Sequence, residues 1–208
     1  MFALIADQKG SRRSSDAVGD AVALLMQAEA SGTLRFALPP ERTSGDEFQC
    51  LFADADSTYS ALRILARDGR WHIGLGVGAV ECPLPESVRE SRGPALVFAR
   101  QAVEAAKSQT PSIVVIGEGD SANEANGALQ LMALLWEGRT KPGWSAVTAI
   151  EDQDEGTTLS EVAAELGISK QALSQRLRVA NWQVEQRAKT AVIRSLVRAD
   201  HQESGDSR

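Results

Sequence analysis

The sequence predicts an α+β protein, with a leading β-α-β-β-α-β domain and a small all-α unit behind it. Three observations carry this. Over residues 1–138, short apolar runs bounded by glycine or proline alternate with longer segments of helical periodicity. After Gly138 the strand pattern disappears. Charge is also sorted along the chain, which carries a net −6 overall. Between Ile168 and Arg198 the bases Lys170, Arg176, Arg178, Arg187, Lys189, Arg194 and Arg198 face a single acid, Glu185, just behind the acidic run EDQDEG at 151–156.

Each element has its own local reason. FALIAD (2–7) is continuously apolar and closed by Gly10, as expected of a buried central strand. DAVGDAVALLMQAEA (16–30) has helical spacing, with Ser14 and Ser15 ahead of it as caps. TLRFAL (33–38) reads as a second strand stopped by Pro39 and Pro40, and EFQCLFA (47–53) as a third, with a hairpin tip between them. STYSALRILARDG (57–69) is a helix ended by Gly69, and WHIGLGVGAV (71–80) a strand whose glycines imply close backbone approach. A helix over 93–108, a strand over 112–117 and a helix over 121–138 complete the domain. Residues 139–143, RTKPG, read as a linker, 144–200 as the helical unit, and 201–208 as a disordered tail.

The totals set limits. With 208 residues, 43% hydrophobic and 24% charged, the chain can bury one medium domain and a satellite. No apolar run approaches the roughly 18 residues of a membrane span. The opening MFALIADQKG lacks the features of a secretory leader, which favours the cytoplasm. Cys50 and Cys82 lie in strand-like segments without CxxC spacing and are expected to be buried thiols.

The element order also constrains space. A right-handed crossover makes the first two strands parallel, and a hairpin makes the third antiparallel to the second. If the third inserts between them, as in ferredoxin-like sheets, its start lies beside the end of the first. Asp7 then meets Asp46 and Glu47. Clustered carboxylates repel, so one is protonated or a cation sits between them, and Mg²⁺ with a nucleotide polyphosphate suits such a site. The alternative is that Asp46 and Glu47 are simply turn residues. Lys9, Ser11 and Arg12 around Gly10 form a candidate phosphate-contacting loop, or equally a solvated basic turn.

RTSGDEFQCLF resembles the GGDEF hairpin of diguanylate cyclases and the related hairpin of class III nucleotide cyclases. IGLGVGAV followed by GPALVFARQAVEAA is similar to the cyclase strand and helix that carry an Ala-Arg pair, here Ala99 and Arg100. Over most of the chain, Asp7 to Arg12, Ser44 to Gln49 and Gly93 to Arg100 resemble the SatD family. The resemblance implies a palm-like domain in which Asp7 and Asp46 correspond to metal-binding acids, with Glu47 beside them and Gly45 and Arg100 near a nucleotide. Ser44 departs from the first glycine of GGDEF, and Leu96 stands where cyclases carry an asparagine. The RxxD inhibitory pattern is missing, since Arg35 is followed by Leu38.

TTLSEVAAELGISKQALSQRLRVANW (157–182) reads as a helix-turn-helix. Thr158 and Glu161 form a capping box, Gly167 the turn, and Ser169 the cap of a second helix. Leu159, Val162, Ala163, Leu166, Leu173 and Leu177 fall on its inner side. The outward residues Lys170, Gln171, Ser174, Gln175 and Arg178, with Ser169, have the chemistry to read double-stranded DNA in the major groove. The alternative is an amphipathic hairpin that packs on the first domain. Arg187, Lys189, Arg194 and Arg198 are expected on phosphates, whereas His72 and His201 have no ligand-like neighbours in sequence.

These readings converge on a cytoplasmic, homodimeric DNA-binding regulator whose degenerate palm-like domain binds a nucleotide or cyclic nucleotide with Mg²⁺. The alternatives are an active nucleotide cyclase or nucleotidyl transferase with a DNA-binding appendage, and a protein-interaction module.

Overall fold

The computed structural model describes residues 1–154 and 156–202. The protein is α+β, with a five-stranded mixed sheet and, among the described residues, eight α-helices. The strands are β1 (Phe2–Gln8), β2 (Leu38–Ser44), β3 (Glu47–Phe52), β4 (Trp71–Val77) and β5 (Ile113–Ile116). The helices are α1 (Val18–Ala30), α2 (Ala55–Asp68), α3 (Pro94–Ala106), α4 (Gly119–Glu137), α5 (Lys141–Glu151), α6 (Leu159–Glu165), α7 (Lys170–Val179) and α8 (Trp182–Gln202). None of the described helices is long and apolar enough to cross a membrane.

The sheet order is β2-β3-β1-β4-β5; β1 is antiparallel to both its neighbours, and only β4 and β5 run parallel. Strand alternation sends side chains to two different cores. Phe2, Leu4, Phe48, Phe52, Trp71 and Ile73 join the large core under α1, α2, α4 and α8. Ala3, Ile5 and Leu51 meet α3 on the opposite face. Phe48 and Trp71 pack edge to face with centroids 5.3 Å apart. Each such buried aromatic contributes roughly 2–3 kcal/mol by transfer from water.

The glycines of β4 fit the expected close approach. A Cβ on Gly74 would lie 2.2 Å from Val103 N, and one on Gly76 would lie 1.9 Å from Ala95 O. The backbone of α3 therefore rests directly on β4. Its own contact residues, Ala95, Ala99, Val103 and Ala106, are small enough to allow it.

Several expectations need correction. The second strand does not occupy 33–38; it starts at Leu38 and runs through Pro39 and Pro40. Because β2 is an edge strand, one missing N–H can face solvent, and a register shift between Leu38 and Glu41 accommodates the other, so the prolines do not stop it. Ser14 and Ser15 do not cap α1. Buried Gln8 instead donates to Ser14 Oγ (2.8 Å) and Ser15 O (2.7 Å) and accepts from Ala17 N (2.9 Å), while Asp16 accepts from Val18 N (2.9 Å). Cys50 is buried in β3, and its burial pushes the thiol pKa up, but Cys82 lies beyond β4 and is exposed.

The segment 139–143 is not a loose linker. Residues 141–143 are the first turn of α5, Thr140 caps it by accepting from Gly143 N (3.2 Å), and Arg139 is buried. The boundary at 144 also divides the chain differently from its packing. A separate small core joins α5, α6 and α7 through Val147, Val162, Leu173 and Leu177, whereas Val192, Leu196 and Ala199 of α8 return to the large core. Two residues of the expected tail, His201 and Gln202, still belong to α8; 203–208, and Glu155 of the acidic run, lie outside the described residues.

One buried carboxylate fastens the two parts. Glu185, 1% exposed, accepts from Arg139 Nη2 (2.7 Å), Arg63 Nε (2.6 Å), Trp136 Nε1 (2.9 Å) and Tyr59 OH (3.3 Å). Burial pushes its pKa up, but the charges and hydrogen bonds of Arg63, Arg139 and Trp136 outweigh that and hold it below the ordinary range. Arg63 also grips Glu151 of α5 with both contacts at 3.0 Å. Elements α2, α4, α5 and α8 thus share one ionic centre.

Candidate functional site

The pairing register brings titratable residues of three strands into a row. Asp7 stands opposite Glu47 on one side and His72 on the other. By strand parity all three lie on the α3 face, where α3 supplies Arg100 and its C-cap residue Lys107 follows.

Glu47 and Arg100 engage each other. Arg100 donates to both carboxylate oxygens, through Nη1 to Oε2 and through Nη2 to Oε1 (2.7 Å), and Thr43 Oγ1 also donates to Oε1. Burial raises the Glu47 pKa, but the bonds from Arg100 and Thr43 outweigh this and lower it. The residue expected at a metal and the residue expected at a nucleotide are therefore partners in a bidentate pair.

Asp7 differs. Burial raises its pKa, the Lys107 ammonium 3.4 Å away offsets part of this, and the charges of Asp46 and Glu47 add to the rise. Asp46 is half-buried at the hairpin tip, where its carbonyl accepts from Gln8 N (2.9 Å). Among the described residues, no three His, Cys, Asp or Glu side chains are arranged to hold a metal ion. Lys107 supplies positive charge beside Asp7.

His72, which has no ligand-like neighbours in the sequence, stands beside Asp7 in the sheet, and Lys107 is the cation next to them. His72 is depressed by burial and by Lys9, with the Ala106 hydrogen bond and Asp7 opposing, and its buried Nδ1 has no partner. Strand parity relative to Asp7 is the signal that could have found it; nothing in the sequence marks Lys107.

The loop after β1 splits its side chains between two concavities. Gly10 is left-handed (φ 64°), which turns the chain into a short 3-10 segment, Ser11–Arg13. Ser11 and Arg12 then line an open concavity of about 400 Å³ with Gly45 and Asp46, which the Arg42–Asp16 ion pair (2.6 Å) also borders. Lys9 lines a different cleft, on the α2 and α5 side.

No family model, curated protein or solved structure matches the chain.

In the helical unit, Thr158 and Glu161 make a reciprocal capping box, Gly167 is left-handed (φ 64°), and Ser169 accepts from Ala172 N (3.2 Å) at the start of α7. Leu173 and Leu177 are buried, and Ile168 packs against the same small core. Lys170, Gln171, Ser174, Gln175 and Arg178 are exposed and line one shallow surface of about 490 Å³. Arg178 Nη2 touches Gln175 Oε1. The cations of α8 are less uniform than expected. Arg187 and Arg194 are exposed, but Lys189 lies 5.6 Å from the Tyr59 ring and Arg198 pairs with Glu124 at 3.2 Å.

Proposed function

We propose that this protein is a homodimeric, DNA-binding regulator of the cytoplasm whose sheet domain binds a nucleotide. One observation carries the DNA half: five polar or basic side chains of α7 stand exposed together on one surface, behind a capped helix and a left-handed glycine turn. Helices of this chemistry enter the major groove, where Gln pairs with adenine and Arg or Lys reaches guanine or phosphate. The strand order β2-β3-β1-β4 supports a ferredoxin-like, palm-like reading of the sheet domain, and α5 to α7 support a helix-turn-helix reading of the satellite. The SatD-like motifs fall around the end of β1, the β2–β3 tip and α3.

The nucleotide half rests on the loop 9–12 and the neighbouring acids. Mg²⁺, taking one or two carboxylates and keeping water, arrives on the phosphates, with Asp7 and Asp46 as the acids within electrostatic reach. Binding is favoured over cyclisation, because Glu47 is held by Arg100 and Leu96 has no donor to offer a transition state.

The test is duplex binding by the full chain. Gln171→Ala and Gln175→Ala each lower affinity for a selected site by about 1–3 kcal/mol and leave random duplex unaffected. Equal losses on both duplexes would remove the base-reading role.

A further inference from the structure

The cleft that receives Lys9 lies where the sheet domain meets the small helical unit. It has a volume of about 360 Å³ and draws on five parts of the chain: Lys9 after β1, Arg67 near the end of α2, Ser112 before β5, Glu137 at the end of α4, and Lys141 at the start of α5. Arg67, Lys141 and Trp144 continue into a neighbouring depression of about 440 Å³ along α5.

Its charge is one-sided. Among the described residues, Lys9, Arg67 and Lys141 have no carboxylate partner within ion-pair distance. Arg67 reaches only a hydroxyl, Thr148 Oγ1, at 3.0 Å. Glu137, whose Oε1 accepts from Ser112 N (3.4 Å), is the one acid among the residues lining the cleft. Behind these side chains lies Arg139, whose side chain is fully buried and whose Nη1 has no hydrogen-bond partner. The Trp144 ring has the Arg139 guanidinium 4.4 Å and the Arg67 guanidinium 5.4 Å from its centroid, so the cationic groups are held by packing. The 11-residue helix α5 begins here and adds its positive dipole end. By contrast, the hairpin-tip concavity sets Arg12 and Arg42 against Asp16 and Asp46. Basic side chains outnumber acids in the first concavity and equal them in the second.

We propose that this junction cleft is a phosphate-binding site that takes the phosphates of a nucleotide, with Lys9 and Lys141 as the clamping cations. The inference rests on the nucleotide reading above and places the phosphates on the Lys9 side of the loop. A ligand there contacts the sheet domain and α5 at once, so it biases how the small unit is held.

Titration calorimetry of the full chain with pyrophosphate and with ATP, each with and without Mg²⁺, tests it. Lys9→Gln and Lys141→Gln are expected to weaken both probes by roughly 10- to 100-fold each, as loss of one charge-assisted contact does. Arg89→Gln, exposed on the 3-10 turn Val88–Glu90, is expected to change neither, and Arg12→Gln to weaken binding less than either lysine variant. If Arg12→Gln abolishes ATP binding and the two lysine variants retain it, the cleft is refuted and the nucleotide reading survives at the hairpin tip. If neither probe binds wild type, both fail together. If the lysine variants lose duplex DNA affinity alone, the cleft is a DNA backbone contact and the proposal is overturned.

Discussion

Replacing Glu185 with alanine removes the acceptor around which α2, α4, α5 and α8 are arranged. Arg139, with no exposed side-chain surface, is left as a buried cation without a carboxylate, keeping its bond to Ala180 O (3.0 Å) and its place over the Trp144 ring. Trp136 Nε1 and Tyr59 OH lose their acceptor as well, whereas Arg63 retains Glu151. Breaking a buried pair in this way costs about 3–5 kcal/mol. With a urea m-value of about 2–3 kcal/mol per molar, the unfolding midpoint falls by about 1–2 M. Urea denaturation followed by tryptophan fluorescence measures it directly. The paired replacement Glu185→Leu with Arg139→Met is expected to recover most of the loss, since an apolar pair carries no desolvation cost. A Glu185→Ala midpoint within about 0.5 M of wild type, equivalent to about 1 kcal/mol, would show that the ionic centre does not hold the two parts together.

Acid should weaken the same centre. Glu185 and Glu47 are both held below the ordinary range, so their stabilisation is complete above the unfolded glutamate pKa of about 4.3 and is lost as pH falls through their lower folded values. Thermal melts from pH 6 to 2 check this, and Glu185→Gln should flatten the acid limb; an unchanged limb contradicts it. Asp7 has the opposite sign. Its raised pKa favours the protonated form in the fold, so stability declines as pH rises from about 3.9 through the folded value, and Asp7→Asn should remove that decline. Gly76→Ala should destabilise by about 1–3 kcal/mol or more, because its Cβ would meet the Ala95 carbonyl rather than a movable side chain. A neutral Gly76→Ala melt would show that α3 can shift away from β4 at no cost.

Much of the fold was legible because local chemistry and tertiary packing agree. The apolar run of β1, the left-handed Gly69 after α2, the glycines of β4 and the Thr158–Glu161 box each have one dominant physical cause. Misreadings arose where tertiary position overrode local rules. Pro39 and Pro40 are strand breakers in general, but an edge strand has room for them. Arg139 and Lys141 carry linker-like neighbours in sequence, yet a partner 46 residues away, Glu185, buries the first. The meeting of Asp7 with Glu47 followed from topology, but the engagement of Glu47 by Arg100 and of Asp7 by Lys107 depends on how α3 lies across the sheet ends. No periodicity encodes that crossing. The outward face of α7 was readable because helical spacing alone separates Leu173 and Leu177 from Gln171, Ser174 and Gln175.

Selection of bound sequences from a pool of randomised duplexes, using the full chain at low salt, tests the DNA-reading role of α7 most directly. The account predicts enrichment of an inverted repeat whose half-sites lie roughly 10 base pairs or a multiple apart, lost when Gln171 and Gln175 are both alanine. Retention of no duplex, or a retained pool with no common sequence, would contradict it.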